Sequence, residues 1–111
     1  MVLCYHYTDL DGYNAARSQP VWRFKVATPP GGHPRGAYFT SLGPETKGLA
    51  NRLGIPKAKT KYVFSFLETS GLRRLHGHRG RFIYYSASDY EVKEERQVFC
   101  GKTEEAKGVL R

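Results

Sequence analysis

The chain predicts a single α+β domain with largely antiparallel strands and two short helices, and three observations carry that expectation. Its 111 residues match one domain of roughly 100 to 150 residues and leave no room for a second. Hydrophobic residues at 40 % and aromatics at 14 % can fill a core, which excludes a disordered basic tail. Short strand-like runs punctuated by Gly and Pro outnumber the helical ones and follow the order βαββα then βββ. That order does not fit the strand and helix alternation of a parallel sheet.

Met1 to Thr8 is apolar, β-branched or aromatic at most positions, as in a strand buried on both faces. Thr8 with Asp11 three residues on resembles a capping box, so a helix is expected from about Asp9 to Ser18, with Leu10, Tyr13 and Ala16 inward and Pro20 stopping it. Val21 to Ala27 alternates apolar with basic residues, predicting a half-buried strand with Arg23 and Lys25 outward. Thr28 to Gly36 holds three prolines and three glycines and reads as a loop. Ala37 to Leu42 reads as a strand. Gly43-Pro44-Glu45 opens a helix to about Leu53, closed by Gly54 and Pro56, and Lys57 to Lys61 is a basic linker. Lys61 to Leu67 and Arg81 to Ser86 are the clearest strands, and Thr69 to Gly80 between them is the most basic segment. Ser86 to Arg96 reads as a polar connector, and Gln97 to Gly101 as a last short strand before a charged, frayed tail.

Eighteen Lys and Arg against ten Asp and Glu give a net charge of +8, which points to polyanionic partners without naming one. No run approaches the roughly eighteen apolar residues of a membrane span, and Met1 to Asp9 lacks the apolar stretch of a signal peptide, so no span is expected. Cys4 and Cys100 match no zinc or redox spacing and read as buried small hydrophobes in a reducing compartment. Neither a P-loop nor a dinucleotide-binding glycine motif is present. His76-Gly-His78 has no third ligand nearby and sits among arginines, so no metal is expected.

Two segments stand out. Tyr5-His6-Tyr7-Thr8 puts a histidine inside a buried-looking strand that leads directly into a helix. Gly36-Ala37-Tyr38-Phe39-Thr40 follows the Gly/Pro loop, and a glycine before a strand aromatic permits close backbone approach by a ligand. Either alone is ordinary core. Together with Glu95-Arg96-Gln97-Val98-Phe99 they resemble the diphtheria-toxin-like class of ADP-ribosyltransferases, with its His, Tyr, Glu/Asp/Gln signature. The likeness is closest to small polymorphic-toxin members whose first strand reads His-Tyr-Thr, and it covers most of the chain in order and spacing.

The resemblance implies two small, mostly antiparallel sheets forming a cleft, with NAD as co-substrate. It implies His6 on a ribose hydroxyl, backbone groups at Tyr7 on the nicotinamide carboxamide, Tyr38 stacked on the nicotinamide ring, and Thr8 and Thr40 as further NAD contacts. Gln97, supported by Glu95 or replaced by Asp89, would lie beside the nicotinamide ribose, where oxocarbenium-like charge develops. Two positions depart from the pattern. Tyr7 stands where better-known toxins have Gly, and the second stacking tyrosine, expected about eleven residues after the first, falls at Leu49. The implied acceptor is a protein or a nucleic acid, an immunity protein is the partner expected of a toxin, and the site of action is cytoplasmic or a target-cell cytosol.

Other readings stay open. An NAD glycohydrolase would use water as acceptor. An RNA 2'-phosphotransferase relative would need a set of phosphate-binding arginines, which Arg17, Arg35 and Arg52 do not form. A small basic nucleic-acid-binding module would stack bases on Tyr5, Tyr38, Tyr62, Tyr84 and Tyr85, although no strand shows the aromatic and basic interleaving of an RNP-like motif. The charge makes nucleic acid the first expectation for an acceptor, with Lys57, Lys59, Lys61, Arg73, Arg74, Arg79 and Arg81 in two connectors flanking one opening.

Overall fold

The computed structural model describes residues 3–17, 20–28, 34–67, 71–75 and 82–109. Their strands are β1 (Leu3–Thr8), β2 (Trp22–Phe24), β3 (Ala37–Thr40), β4 (Tyr62–Leu67), β5 (Arg73–Arg74), β6 (Ile83–Ser86), β7 (Tyr90–Val92) and β8 (Gln97–Lys102). Their α-helices are α1 (Leu10–Ala16), α2 (Leu49–Leu53) and α3 (Thr103–Val109). Six strands form one antiparallel sheet in the order β5-β6-β3-β1-β4-β8, and β2 pairs with β7 in a second. The architecture is α+β with two antiparallel sheets.

β1 is continuous in apolar character because it lies inside the six-stranded sheet and packs on both faces. One face, here the Phe face, carries Cys4, Phe39, Phe64 and Phe66 beneath Trp22 and Phe24 of β2, Tyr90 and Val92 of β7, and Ala16 of α1. Phe24 meets Phe39 and Phe64 edge-on at 5.2 and 5.1 Å. Each such pair adds about 0.5 to 1.5 kcal/mol beyond the burial of the rings. The other, Tyr face carries Tyr5, Tyr7 and Val63 beneath Leu49 of α2 and Ala106 of α3.

Several elements differ from their expected form. α1 is capped by Asp9, whose carboxylate accepts from Gly12 N–H at 2.9 Å, one residue later than a Thr8 cap. That shift turns Tyr13 and Ala16 inward and leaves Leu10, at the first helical position, 51 % exposed. α2 is only five residues because left-handed glycines bracket it, Gly48 at φ 65° and Gly54 at φ 69°, so it cannot start at Gly43. Lys57–Thr60 is a 3₁₀ turn rather than an open linker. The supposed connector after Ser86 contains β7, whose Tyr90 and Val92 enter the core while Glu91 points out to Arg23 at 3.1 Å. The supposed tail is α3. Thr103 anchors it, donating its hydroxyl to Thr60 O at 2.5 Å and its N–H to Lys61 O at 2.9 Å. Arg73–Arg74 is an edge strand on β6, while the remainder of the basic segment around His76 and His78 lies outside the described residues.

Candidate functional site

The two edges of β1 are paired very differently. β4 matches it over six positions, from Leu3↔Leu67 to Thr8↔Tyr62. β3 matches it at Tyr5↔Thr40 alone. In an antiparallel strand the main-chain groups of successive residues address opposite neighbours. Thr103 N–H donates to Lys61 O, so Lys61, Val63 and Ser65 address β8 while Tyr62, Phe64 and Phe66 address β1. The partners of those three, Thr8, His6 and Cys4, address β4 in return, which turns the main chain of Leu3, Tyr5 and Tyr7 toward β3. From the far side, Ser41 N–H donates to Phe82 O at 3.0 Å, so Tyr38 and Thr40 address β1. The pair that would continue the ladder is Tyr7↔Tyr38, and it is not formed.

The Tyr38 carbonyl instead accepts a hydrogen bond from Nδ1 of His6 at 2.8 Å. A carbonyl can only accept, so Nδ1 carries the proton. The His6 ring is half-buried among Phe24, Phe39 and Phe64, with centroids at 4.7, 5.6 and 6.3 Å. Burial pulls its pKa below the ordinary 6.5, opposed by the bond to Tyr38. The imidazole is therefore neutral near pH 7, with Nε2 as an acceptor.

Tyr38 itself faces the other way. Its half-exposed ring stacks on Tyr85 at 5.7 Å and 19°, and its hydroxyl donates to Pro34 O. Because adjacent residues of a strand alternate and His6 packs with Phe39, the His6 and Tyr38 rings lie on opposite faces. They are joined only through the Tyr38 carbonyl.

The segment before β3 is closed at its neck by Ala27 and Gly36, which exchange two main-chain hydrogen bonds of 3.0 Å. Residues 29–33 of that loop lie outside the described residues. Gly36 allows close approach to β6: a Cβ there would meet Ser86 O at 2.6 Å. Thr40 and Tyr7 are also engaged internally. Thr40 Oγ1 donates to Phe82 O at 2.7 Å and accepts from Leu42 N–H at 3.1 Å. The Tyr7 hydroxyl donates to Leu42 O at 2.8 Å, and burial pushes its pKa up. A tyrosine at position 7 thus anchors the Tyr face with its side chain while its main chain faces β3. Thr8 is buried against α1, where Gly12 makes room: a Cβ at position 12 would lie 1.9 Å from Thr8 Oγ1.

The third motif does not take its expected form. Glu94–Arg96 is a 3₁₀ turn, so Glu95 and Gln97 do not share a strand face, and Glu95 is exposed. Gln97 Nε2 donates to Pro20 O at 2.8 Å and Val92 O at 2.9 Å, tying β8 to the second sheet. Arg96 lies over Phe66 and Tyr90 at 5.4 Å from each ring and donates to Leu67 O and the Tyr90 hydroxyl. Asp89 accepts from Val26 N–H at 2.9 Å. Val26 precedes the Ala27–Gly36 bridge, so Asp89 is tied to the start of β3, on the side of the interrupted ladder.

Among the described residues, the two basic connectors lie toward opposite ends of the sheet. Lys59 pairs with Asp9 at 2.6 Å at the head of β4, whereas Arg73 and Arg74 occupy the β5 edge, four strand spacings or roughly 19 Å across the sheet. Arg79 and Arg81 lie outside the described residues. Cys4 and Cys100 are free thiols on strands separated by β4, and burial pushes Cys4 up to about 12. Among the described residues no helix is long and apolar enough to cross a membrane, and no group of three His, Cys, Asp or Glu is placed to hold a metal ion. Comparison with protein-family models, curated proteins and solved structures finds no match.

Proposed function

We propose that the chain is an NAD-dependent mono-ADP-ribosyltransferase, the catalytic domain of a toxin or effector, with its NAD site at the open seam between β1 and β3. The interrupted ladder carries this reading. Tyr7 turns its main chain toward β3, where the Tyr38 carbonyl is held by His6 rather than by a strand partner. A nicotinamide carboxamide has a donor and an acceptor side by side, and an unpaired strand edge offers the complementary pair. His6 Nε2 suits a ribose hydroxyl on the Phe face, whereas Tyr38, whose ring lies on the opposite face, joins the site through its main chain rather than as a stacking ring.

In the reaction the bond between nicotinamide nitrogen and ribose C1' breaks, and its electron pair leaves with neutral nicotinamide. C1' gains oxocarbenium character, and a nucleophile of the acceptor bonds to it and gives up a proton. A carboxylate beside that ribose stabilises the developing charge, which the Gln97 amide cannot do. Asp89, tied to the start of β3 through Val26, is the candidate for that role. An immunity protein that covered the seam would silence the enzyme.

Nicotinamide release from NAD tests the reading. Asp89→Asn, which can still accept from Val26 N–H, and His6→Ala should each lower release by about 100-fold, while exposed Glu95→Gln stays within about twofold. No release by the folded wild-type protein would remove it.

A further inference from the structure

Beyond the seam, the β3, β6 and β5 part of the Tyr face has a composition that the linear order conceals. Arg73 is in register with Tyr85, and Tyr85 with Tyr38, so Tyr38, Tyr85 and Arg73 form one cross-strand row leading outward from the seam. The helices α2 and α3 pack on Tyr5, Tyr7 and Val63, and neither Tyr38 nor Tyr85 joins that core. Both rings are half-exposed and stacked, and Arg73 is exposed. Arg52 of α2 lies over the Phe82 ring at 5.0 Å, just before β6. β3, β5 and β6 contain no Asp or Glu.

Arginines on an edge strand also guard against edge-to-edge pairing, a role that needs charge but no aromatic row. The row adds the feature a polyanion made of flat bases would use: ring faces flanked by guanidinium groups, with no acid among the strands to repel phosphate. We infer that this row binds single-stranded nucleic acid, one base stacking on Tyr85 and the adjoining phosphate held by Arg73. On the reading of the seam as an NAD site, which this role presupposes, the row presents the acceptor. Duplex is disfavoured, because its bases are already stacked and cannot lie on the ring.

The test is fluorescence anisotropy with a labelled single-stranded RNA or DNA dodecamer across a salt series, with unlabelled duplex as competitor. Tyr85→Ala should weaken binding about 10-fold and Tyr85→Phe should retain it. Arg73→Gln should weaken binding and lower the salt slope by about one, leaving acceptor-free nicotinamide release unchanged. Binding unaffected by Tyr85→Ala and Arg73→Gln, or competed equally by duplex, overturns the inference. The two readings fail separately. Oligonucleotide binding that depends on Tyr85, in a protein that releases no nicotinamide, would keep the row and discard the enzyme; release without oligonucleotide binding would do the reverse.

Discussion

Along one edge β1 is sealed to β4 by six consecutive pairs, and along the other it is fastened to β3 by one pair and a side chain. On the sealed edge Val63, Phe64, Ser65 and Phe66 are fully buried, and no ligand can reach the main chain between the strands. On the open edge Nδ1 of His6 bonds the Tyr38 carbonyl, and the main-chain pair Tyr7↔Tyr38 that would continue the ladder is not formed. A single strand thus plays two structural roles, fully paired on one side and interrupted on the other. The residue that divides the two roles is a histidine able to donate at one nitrogen and accept at the other.

Forcing the open side should cost the most. Gly36→Val would push a side chain into Ser86 O and the Tyr85 ring, displacing the start of β3 from β6. A stability loss of about 2 to 3 kcal/mol in urea unfolding is expected, together with loss of nicotinamide release. Gly36→Val with native stability would mean that β3 does not depend on this close approach. Next is the sealed side. Gln97→Ala removes two hydrogen bonds to the Pro20 and Val92 carbonyls and should cost about 1 to 2 kcal/mol, with turnover per folded molecule retained. A selective loss of turnover at unchanged stability would return Gln97 to the catalytic set.

A smaller effect, of opposite sign, is expected at Ser65, whose hydroxyl is fully buried without a hydrogen-bond partner. Ser65→Ala should stabilise the β4 side by about 1 kcal/mol, read as a raised urea midpoint with unchanged slope. The mildest test is pH. Burial depresses the folded His6 pKa below 6.5, so below 6.5 the unfolded chain binds a proton that the folded chain resists. Stability is full above that pH and falls as pH drops through 6.5 toward the depressed folded value. His6→Gln should remove this component, and an unchanged pH profile in His6→Gln would contradict a buried neutral imidazole.

Much of the frame was legible from local pattern. Trp22-Arg23-Phe24 alternates and is half-buried, and the unbroken apolar runs of β1 and β4 lie inside the sheet. What local pattern cannot carry is register. Tyr38 meets Tyr85 across 47 positions of chain, and this pairing, not the local sequence, creates the aromatic and basic row. Register also sets the His6 and Tyr38 rings on opposite faces. Short elements were hidden for a different reason: β7 spans three residues, and α3 buries only Thr103 and Ala106 among its described side chains, too few for a period to emerge from charged neighbours. Glu95 and Gln97 are close in the motif yet part in the fold, because the chain makes a 3₁₀ turn before it enters β8.

If the Tyr7 main chain faces an open seam, residue-resolved amide hydrogen exchange will show it. In the free protein Tyr7 N–H should exchange faster than the N–H groups of His6 and Thr8, which address β4, and nicotinamide or NAD should slow Tyr7 while leaving those two unchanged. Tyr7 protected as strongly as His6 in the free protein, and indifferent to either compound, would mean that the seam is closed.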